Sequence, residues 1–262
     1  MNKSLLMHRS TVLACVLIFT ATVSAQEQPS RPPAPVDTSR IPSAVRLRLA
    51  RLGPRFDSAD RQRMLYAGVL TTPTGQRPLQ LTWQWPGLIR IDEGGASPRA
   101  VSFDGSKVTA SAGTVDSLAQ ALLSSLGFDL PENLFRLSAE GIPMRLLAVW
   151  AQMGTGYSKS YTGAFLDVVQ VFPPPTGLES THSQAKLFAF DSRTGFPYAV
   201  SYRNTRDEKV SVVQTRFHDW KTTAGLSAPS EITRTEDGVE TFRLQVVQVT
   251  TGAAQPASAF KH

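Results

Sequence analysis

The residues of this 262-residue chain that are best suited to catalysis or metal binding are four histidines and one cysteine. His182 lies in a predicted loop, His218 at the end of a predicted strand, and His262 at the last position. Outside the first 25 residues, no two histidines have the spacing of a metal-binding pair, and Cys15 lies far from all three. The sequence therefore predicts neither a metal site nor a cofactor.

Nucleophilic and acid–base catalysis find equally little support. The chain contains no G-x-S-x-G motif, and "GTGYSKS" at 154–160 lacks the pattern of a phosphate-binding loop. His218 and Asp219 are adjacent, so on a regular strand they point to opposite faces unless a bulge intervenes. Without a nucleophile, a base and an orienting group, the sequence predicts a protein that is not an enzyme.

The first 25 residues have the three parts of a secretory signal. Lys3 and Arg9 precede an apolar run, and small residues lead up to Ala25. The run is shorter than the roughly 20 residues of a membrane-spanning helix. We expect cleavage after Ala25, which would remove Cys15 together with two of the cations behind the formal charge of +6.

A proline-rich linker and a basic helix follow the signal. Residues 26–42 are polar and rich in proline, whereas residues 43–262 carry the patterns of a single folded domain. The basic segment 46–55, "RLRLARLGPR", fits either a solvated helix face or a peripheral contact with an anionic membrane. No cluster of lysine and arginine accompanies a nucleic-acid-binding motif, so we expect no nucleic-acid partner.

Most of the domain has the period of β-strands. Leu79, Leu81, Trp83 and Trp85 alternate with polar residues at 80, 82 and 84, which predicts one buried and one wet face. Leucines spaced by four in residues 114–141 predict helices, with Thr114 as a cap. Strands then resume from residue 165 and continue to about residue 250. Strands interrupted once by helices predict an α+β domain with an antiparallel sheet.

The C-terminal half resembles a known family. The segments "LFAFDSRTGFPYAVSYRN", "VQTRFHDWKTTAGLSAPSEITRTEDG" and "ETFRLQVVQV" are similar to the strand-and-turn pattern of LolA/LolB-like proteins, the periplasmic outer-membrane lipoprotein-sorting superfamily. The resemblance implies an incomplete antiparallel β-barrel with helices lying across its open face, located in the periplasm. It also implies an apolar cavity, in which the carriers of this family shield the acyl chains of lipoproteins.

The resemblance also assigns positions. Asp191, Thr194, Gly195 and Pro197 match the hairpin turn of the pattern. The candidate lining of the cavity comprises Leu79, Leu81, Trp83, Trp85, Tyr198, Val200, Tyr202, Phe242, Leu244 and Val246. Two interpretations stay open. The half-barrel either holds a lipid or acylated lipoprotein, or it has a filled core and serves as an interaction module for another envelope protein.

Overall fold

The structure is a computed structural model that describes residues 41–147, 166–172, 185–206 and 209–261. The predicted signal peptide, most of the predicted linker, the "GTGYSKS" segment, His182 and His262 lie outside the described residues.

The described residues form a single antiparallel sheet of twelve strands. The first five are β1 (Arg63–Thr72), β2 (Gly75–Gln84), β3 (Leu88–Glu93), β4 (Arg99–Phe103) and β5 (Val108–Ala110). The other seven are β6 (Met144–Leu147), β7 (Leu166–Val171), β8 (Lys186–Asp191), β9 (Pro197–Arg206), β10 (Lys209–Thr223), β11 (Leu226–Glu236) and β12 (Val239–Gly252).

The order of the strands leaves the sheet open. Strands that follow one another in the chain pair with each other, except β5 and β6, and β1 pairs with β12 in the middle of the sheet. The two edges are consequently β5 and β6, and no described residue of one pairs with the other. The predicted fold class, an α+β protein with an incomplete antiparallel barrel, is confirmed.

The helices lie at the start of the domain and between the two edge strands. Helix α1 covers Ser43–Ala50, α2 covers Ser117–Leu122, and α3 covers Glu132–Ala139. A π-helical turn, Leu123–Phe128, continues α2, and 3-10 turns occur at Ala59–Arg61 and Ala257–Phe260. We refer to residues 117–139 as the helical insert, because they connect the edge strand β5 to the edge strand β6.

The insert begins at a different cap from the one expected. Asp116, rather than Thr114, is the N-cap of α2, and its carboxylate accepts a hydrogen bond of 2.7 Å from the Ala119 N–H. An aspartate at this position satisfies one of the free N–H groups of the first turn. At the other end, α3 is followed by Gly141 with φ of +74°, a conformation that glycine adopts without strain.

The contacts of the insert require the sheet to curl. The insert meets β2 through the Gly127 carbonyl and β8 through the Asp129 carboxylate, only two residues further along. Strands β2 and β8 are six spacings apart in the sheet, about 29 Å if the sheet were flat. Because so short a segment reaches both strands, the sheet must wrap around the insert as a half-barrel.

Most of the core is one continuous cluster inside this half-barrel. It includes Val45 and Leu49, which are the buried residues of α1. The expectation that the second face of β2 is wet was wrong for Thr82 and Gln84, which are buried. The Gln84 amide donates to the Gln255 carbonyl at 3.0 Å and accepts from the Gln255 N–H at 2.6 Å. The C-terminal residues therefore cover this part of the outer face.

Candidate binding site

Most of the predicted lining comes together inside the half-barrel. Eight of the ten residues are buried in the main core cluster, namely Leu79, Leu81, Trp83, Trp85, Val200, Tyr202, Phe242 and Leu244. Val246 is partly buried and packs against the same cluster. The structure thus brings nine of the predicted residues together in one cluster, and their role in binding stays a prediction.

Tyr198 lies in a different place. A β-bulge shifts the register of β8 and β9, so that Phe190 pairs with Pro197 and Tyr198 is left out. Tyr198 therefore packs with Leu166, Val168 and their neighbours in a second, smaller cluster. The strict alternation of Tyr198, Val200 and Tyr202 pointed to one face, but a bulge reverses the side to which a residue projects.

The turn residues of the same hairpin have the geometry expected of them. The Asp191 carboxylate accepts hydrogen bonds from the N–H groups of Arg193 and Thr194, at 2.9 and 2.8 Å. Gly195 has a φ of +75°, and a side chain there would meet Arg51 of the segment after α1. These residues form the turn, and they bring it against the end of α1.

The aromatic side chains of β2 are covered by the protein's own residues. Phe56 lies 5.1 Å from Trp83 and 6.1 Å from Trp85, measured between ring centroids. Phe135 of α3 meets Phe56 edge-on at 5.7 Å. The indole N–H of Trp83 donates to the Gly127 carbonyl at 3.1 Å. The insert and the segment before β1 therefore occupy the space above these tryptophans.

A buried acid of the insert meets β1 and the segment before it. Glu132 accepts a hydrogen bond of 2.5 Å from the Tyr66 hydroxyl and forms an ion pair with Arg55 at 3.3 Å. The side chains of Arg55 and Glu132 are fully buried. Burial, followed by the charge of Glu132, raises the pKa of Tyr66 well above 10, so its hydroxyl remains a donor.

A second buried acid of the insert contacts strands β8 and β10. Asp129 pairs with Lys186 of β8 at 2.8 Å and accepts a hydrogen bond of 2.7 Å from Thr215 of β10. Thr215 also contacts the Ser125 hydroxyl at 2.8 Å. The side chains of Asp129 and Lys186 are at most 2% exposed. An ion pair so deep gains little net stability but fixes which residues must meet.

Arg234 of β11 completes this polar network. Its guanidinium donates to Ser125 of the insert at 3.0 Å and to the Tyr202 hydroxyl at 3.4 Å. Tyr202 also shares a hydrogen bond of 2.6 Å with Ser124. Two polar clusters, one around Glu132 and one around Asp129 and Arg234, therefore hold the insert in place.

Sequence reasoning missed these polar residues, although a signal for them exists. Lys186 lies on the same face of β8 as Phe188 and Phe190, and Arg234 lies on the same face of β11 as Ile232. A charged residue at a position that the alternation assigns to the core needs a buried partner. Lys186 pairs with Asp129, and Arg234 donates to Ser125. Both partners lie in a helical segment far away in the sequence, where Asp129 resembled a surface residue.

The basic segment 46–55 is divided by the fold. Arg48 pairs with Asp167 of β7, and Arg55 is buried against Glu132. Arg46 and Arg51 remain exposed, together with Leu47, which is 70% exposed. A contact with an anionic membrane stays a prediction, and it now depends on three side chains rather than on the whole segment.

A groove of about 700 Å³ opens beside the first four strands, outside the predicted lining. Its walls include Ala67, Gln80, Asp92 and Ala100, which alternate along the strands with core residues. Leu79 is the one predicted residue that it touches. Its surface carries the Arg90–Asp92 ion pair, so it differs in character from the aromatic interior.

His218 and Asp219, the adjacent pair at the end of a predicted strand, lie in different environments. His218 contacts the Thr233 hydroxyl at 3.1 Å, and the adjacent Asp219 is exposed with a φ of +49°. Within the described ranges, no three histidine, cysteine or acidic side chains come close enough together to hold a metal ion. In the same ranges, no helix has the length and apolar character needed to span a membrane.

The arrangement matches that of known structures. It superposes on a LolA superfamily protein, NE2245 from Nitrosomonas europaea, with a TM-score of 0.52 and 13% identity, over 84% of this chain and 96% of that one. A protein domain from Vibrio parahaemolyticus assigned to outer-membrane lipoprotein sorting gives a TM-score of 0.46 and 11% identity, over 83% and 94%. No protein-family model matches the chain, and no curated protein does. The likeness to NE2245 extends along nearly all of the domain, and we conclude that the chain has the fold of the LolA superfamily.

Proposed function

We propose that this protein is a non-enzymatic periplasmic protein that binds an apolar ligand, a lipid or an acylated lipoprotein, between the half-barrel and its helical insert. The topology carries the proposal. The insert lies between the two edge strands, and among the described residues it takes part in no strand pairing. It can therefore move away from the sheet without breaking the backbone ladder that holds the half-barrel together.

The free energy gained by burying the leucines of the insert is comparable to that gained by burying an acyl chain in their place. The insert buries Leu122, Leu126, Leu134 and Leu137 completely. Each such side chain contributes about 1.5–3 kcal/mol, so four contribute roughly 6–12 kcal/mol. An acyl chain of about twelve carbons contributes roughly 0.8 kcal/mol per methylene, or about 9 kcal/mol. A single acyl chain is therefore of the right size to replace part of the insert against the sheet.

A second function is favoured by a different observation. The aromatic residues of β2 are covered by Phe56 and by Phe135 of the insert, as a permanently filled core would be. In this case the domain serves as an interaction module for another protein of the envelope, and the insert never leaves. The two functions differ in whether a ligand can replace the insert inside the half-barrel.

Native mass spectrometry of the mature protein, purified gently from its own envelope, distinguishes them. A co-purifying acyl chain or acylated peptide, identified after lipid extraction, is the result expected for the proposed function. An apo mass, together with no uptake of a fluorescent fatty-acid probe, would contradict it and favour the interaction module. The mass of the mature chain also tests the predicted cleavage after Ala25.

A further inference from the structure

The buried charges between the insert and its surroundings are segregated by sign. The insert contributes two fully buried acids, Asp129 and Glu132. The surrounding half-barrel contributes three buried cations, Lys186 of β8, Arg234 of β11 and Arg55 of the segment before β1. Among the described residues, the two ion pairs that join the insert to its surroundings both have their acid on the insert.

The one buried cation of the insert itself does not alter this division. Arg136 donates to Asn133 at 2.7 Å and pairs with Glu140, one turn further along the same helix, also at 2.7 Å. Its charge therefore has partners that would move with it. The acids Asp129 and Glu132, by contrast, have partners that would stay behind on the half-barrel.

Moving the insert would thus take two carboxylates away from buried cations. Removing one partner of a buried ion pair is strongly unfavourable. A neutral alkyl chain would replace the leucines of the insert but not its carboxylates. An alkyl chain with an anionic head would replace the leucines and one of the two carboxylates, that of Asp129. We infer, on the basis of the proposed function, that the ligand is an acyl chain with an anionic head group, either a carboxylate or a phosphate.

The place for the head group is already formed around Asp129. Its two oxygens are held by the Lys186 ammonium at 2.8 Å and by the Thr215 hydroxyl at 2.7 Å. The Lys186 ammonium also lies 4.4 Å from the centre of the Tyr202 ring, and Arg234 reaches the hydroxyl of the same tyrosine. A ligand carboxylate or phosphate oxygen would take the position of the Asp129 carboxylate among these donors.

Glu236 is a further described acid near this place, and it belongs to strand β11 rather than to the insert. Its carboxylate lies 3.5 Å from the Arg234 guanidinium, and its side chain is 39% exposed. It partly neutralises Arg234 at the rim, whether or not the insert moves. Lys186 is deeper and pairs with Asp129 of the insert, so we assign it the main role in recognising an anion.

The test compares three amphiphiles with the same chain, dodecanoate, dodecyl phosphate and dodecan-1-ol, titrated into the mature protein at pH 8 and followed by tryptophan fluorescence. We expect the better anion to bind about tenfold more tightly than the alcohol, since a hydrogen-bonded charge contributes about that factor. The relative affinities of carboxylate and phosphate identify the head group. Equal affinity for all three would overturn the inference and leave the proposed function standing.

Two variants show whether Lys186 is responsible. The double variant Lys186→Met with Asp129→Asn removes both charges of the pair together, and we expect it to bind dodecanoate and dodecan-1-ol equally. The single variant Asp129→Asn keeps the lysine and should keep the preference for the anion. A preference that survives in the double variant would overturn the role of Lys186. If the wild-type protein bound none of the three probes, the proposed function would fail, and the inference with it.

Discussion

Trp83 is the residue at which the sheet, the insert and the predicted site meet. Its side chain is fully buried, and its N–H donates to the Gly127 carbonyl. We expect Trp83→Ala to lower the free energy of unfolding by about 3–5 kcal/mol, the cost of a large cavity in a packed core. Trp83→Phe should cost less, about 1–3 kcal/mol, because it mainly leaves the carbonyl without its donor. Urea denaturation measures both, and a small loss for alanine would show that the interior around Trp83 is loosely packed.

Asp116 connects the stability of the insert to pH. The N–H of Ala119, and then the charge of Arg99, hold the pKa of Asp116 below its ordinary value of 3.8. Since the pKa is lower in the folded state, the cap stabilises the protein above pH of about 4. This contribution is lost as the pH falls through the folded-state pKa.

Two substitutions at this position separate the cap from its charge. Asp116→Ala should lower the stability at pH 7 by about 1 kcal/mol, because the first turn of α2 loses its acceptor. Asp116→Asn retains an acceptor and should lose less, and its stability should fall less steeply between pH 5 and pH 3. Denaturation curves at several pH values test this, and an unchanged slope for asparagine would contradict the assignment.

At the scale of elements, the proposed function requires the insert to move relative to the sheet. Ser125 of the insert and Thr215 of β10 face each other, with their hydroxyl oxygens 2.8 Å apart. Cysteines at these two positions would be close enough for a disulfide. We expect the oxidised Ser125→Cys/Thr215→Cys protein to lose uptake of a fluorescent fatty acid, and reduction to restore it.

The reduced form of the same variant serves as the control, because it contains both substitutions without the cross-link. Cys15 should be replaced by serine if residues 1–25 are retained, so that it cannot form a competing disulfide. Uptake that is equal in the oxidised and reduced forms would show that ligands bind without movement of the insert. The groove beside β1–β4 would then become the alternative place to search.

The accuracy with which the sequence predicts the structure also differs between elements. The strand around Leu79–Trp85 could be predicted because its alternation is local and every second residue is buried. Tyr198 could not be placed, since one bulge between β8 and β9 changes the face without changing the pattern. The partners of Lys186 could not be predicted either, because they depend on where a distant helical segment lies.

At the scale of the whole molecule, the order of the strands predicts how stability is distributed. The strands β1 and β12 are central, and each has a strand partner on both sides. The β1–β12 pairing joins nine residues of each strand, and the β1–β2 pairing joins ten. The strands β5 and β6 are short, and each has a single strand partner among the described residues. Amides in long, doubly paired strands open only with the whole fold, whereas those of edge strands open locally.

Hydrogen exchange followed by mass spectrometry therefore tests the open half-barrel and its proposed function together. We expect the slowest exchange in peptides of β1, β2, β11 and β12, and faster exchange in β5 and β6. Protection of β5 and β6 equal to that of β1 would mean that the edges are covered in solution. Addition of dodecanoate should speed exchange in residues 117–139, because the insert leaves the sheet, while β1 and β12 remain protected because their ladder stays intact.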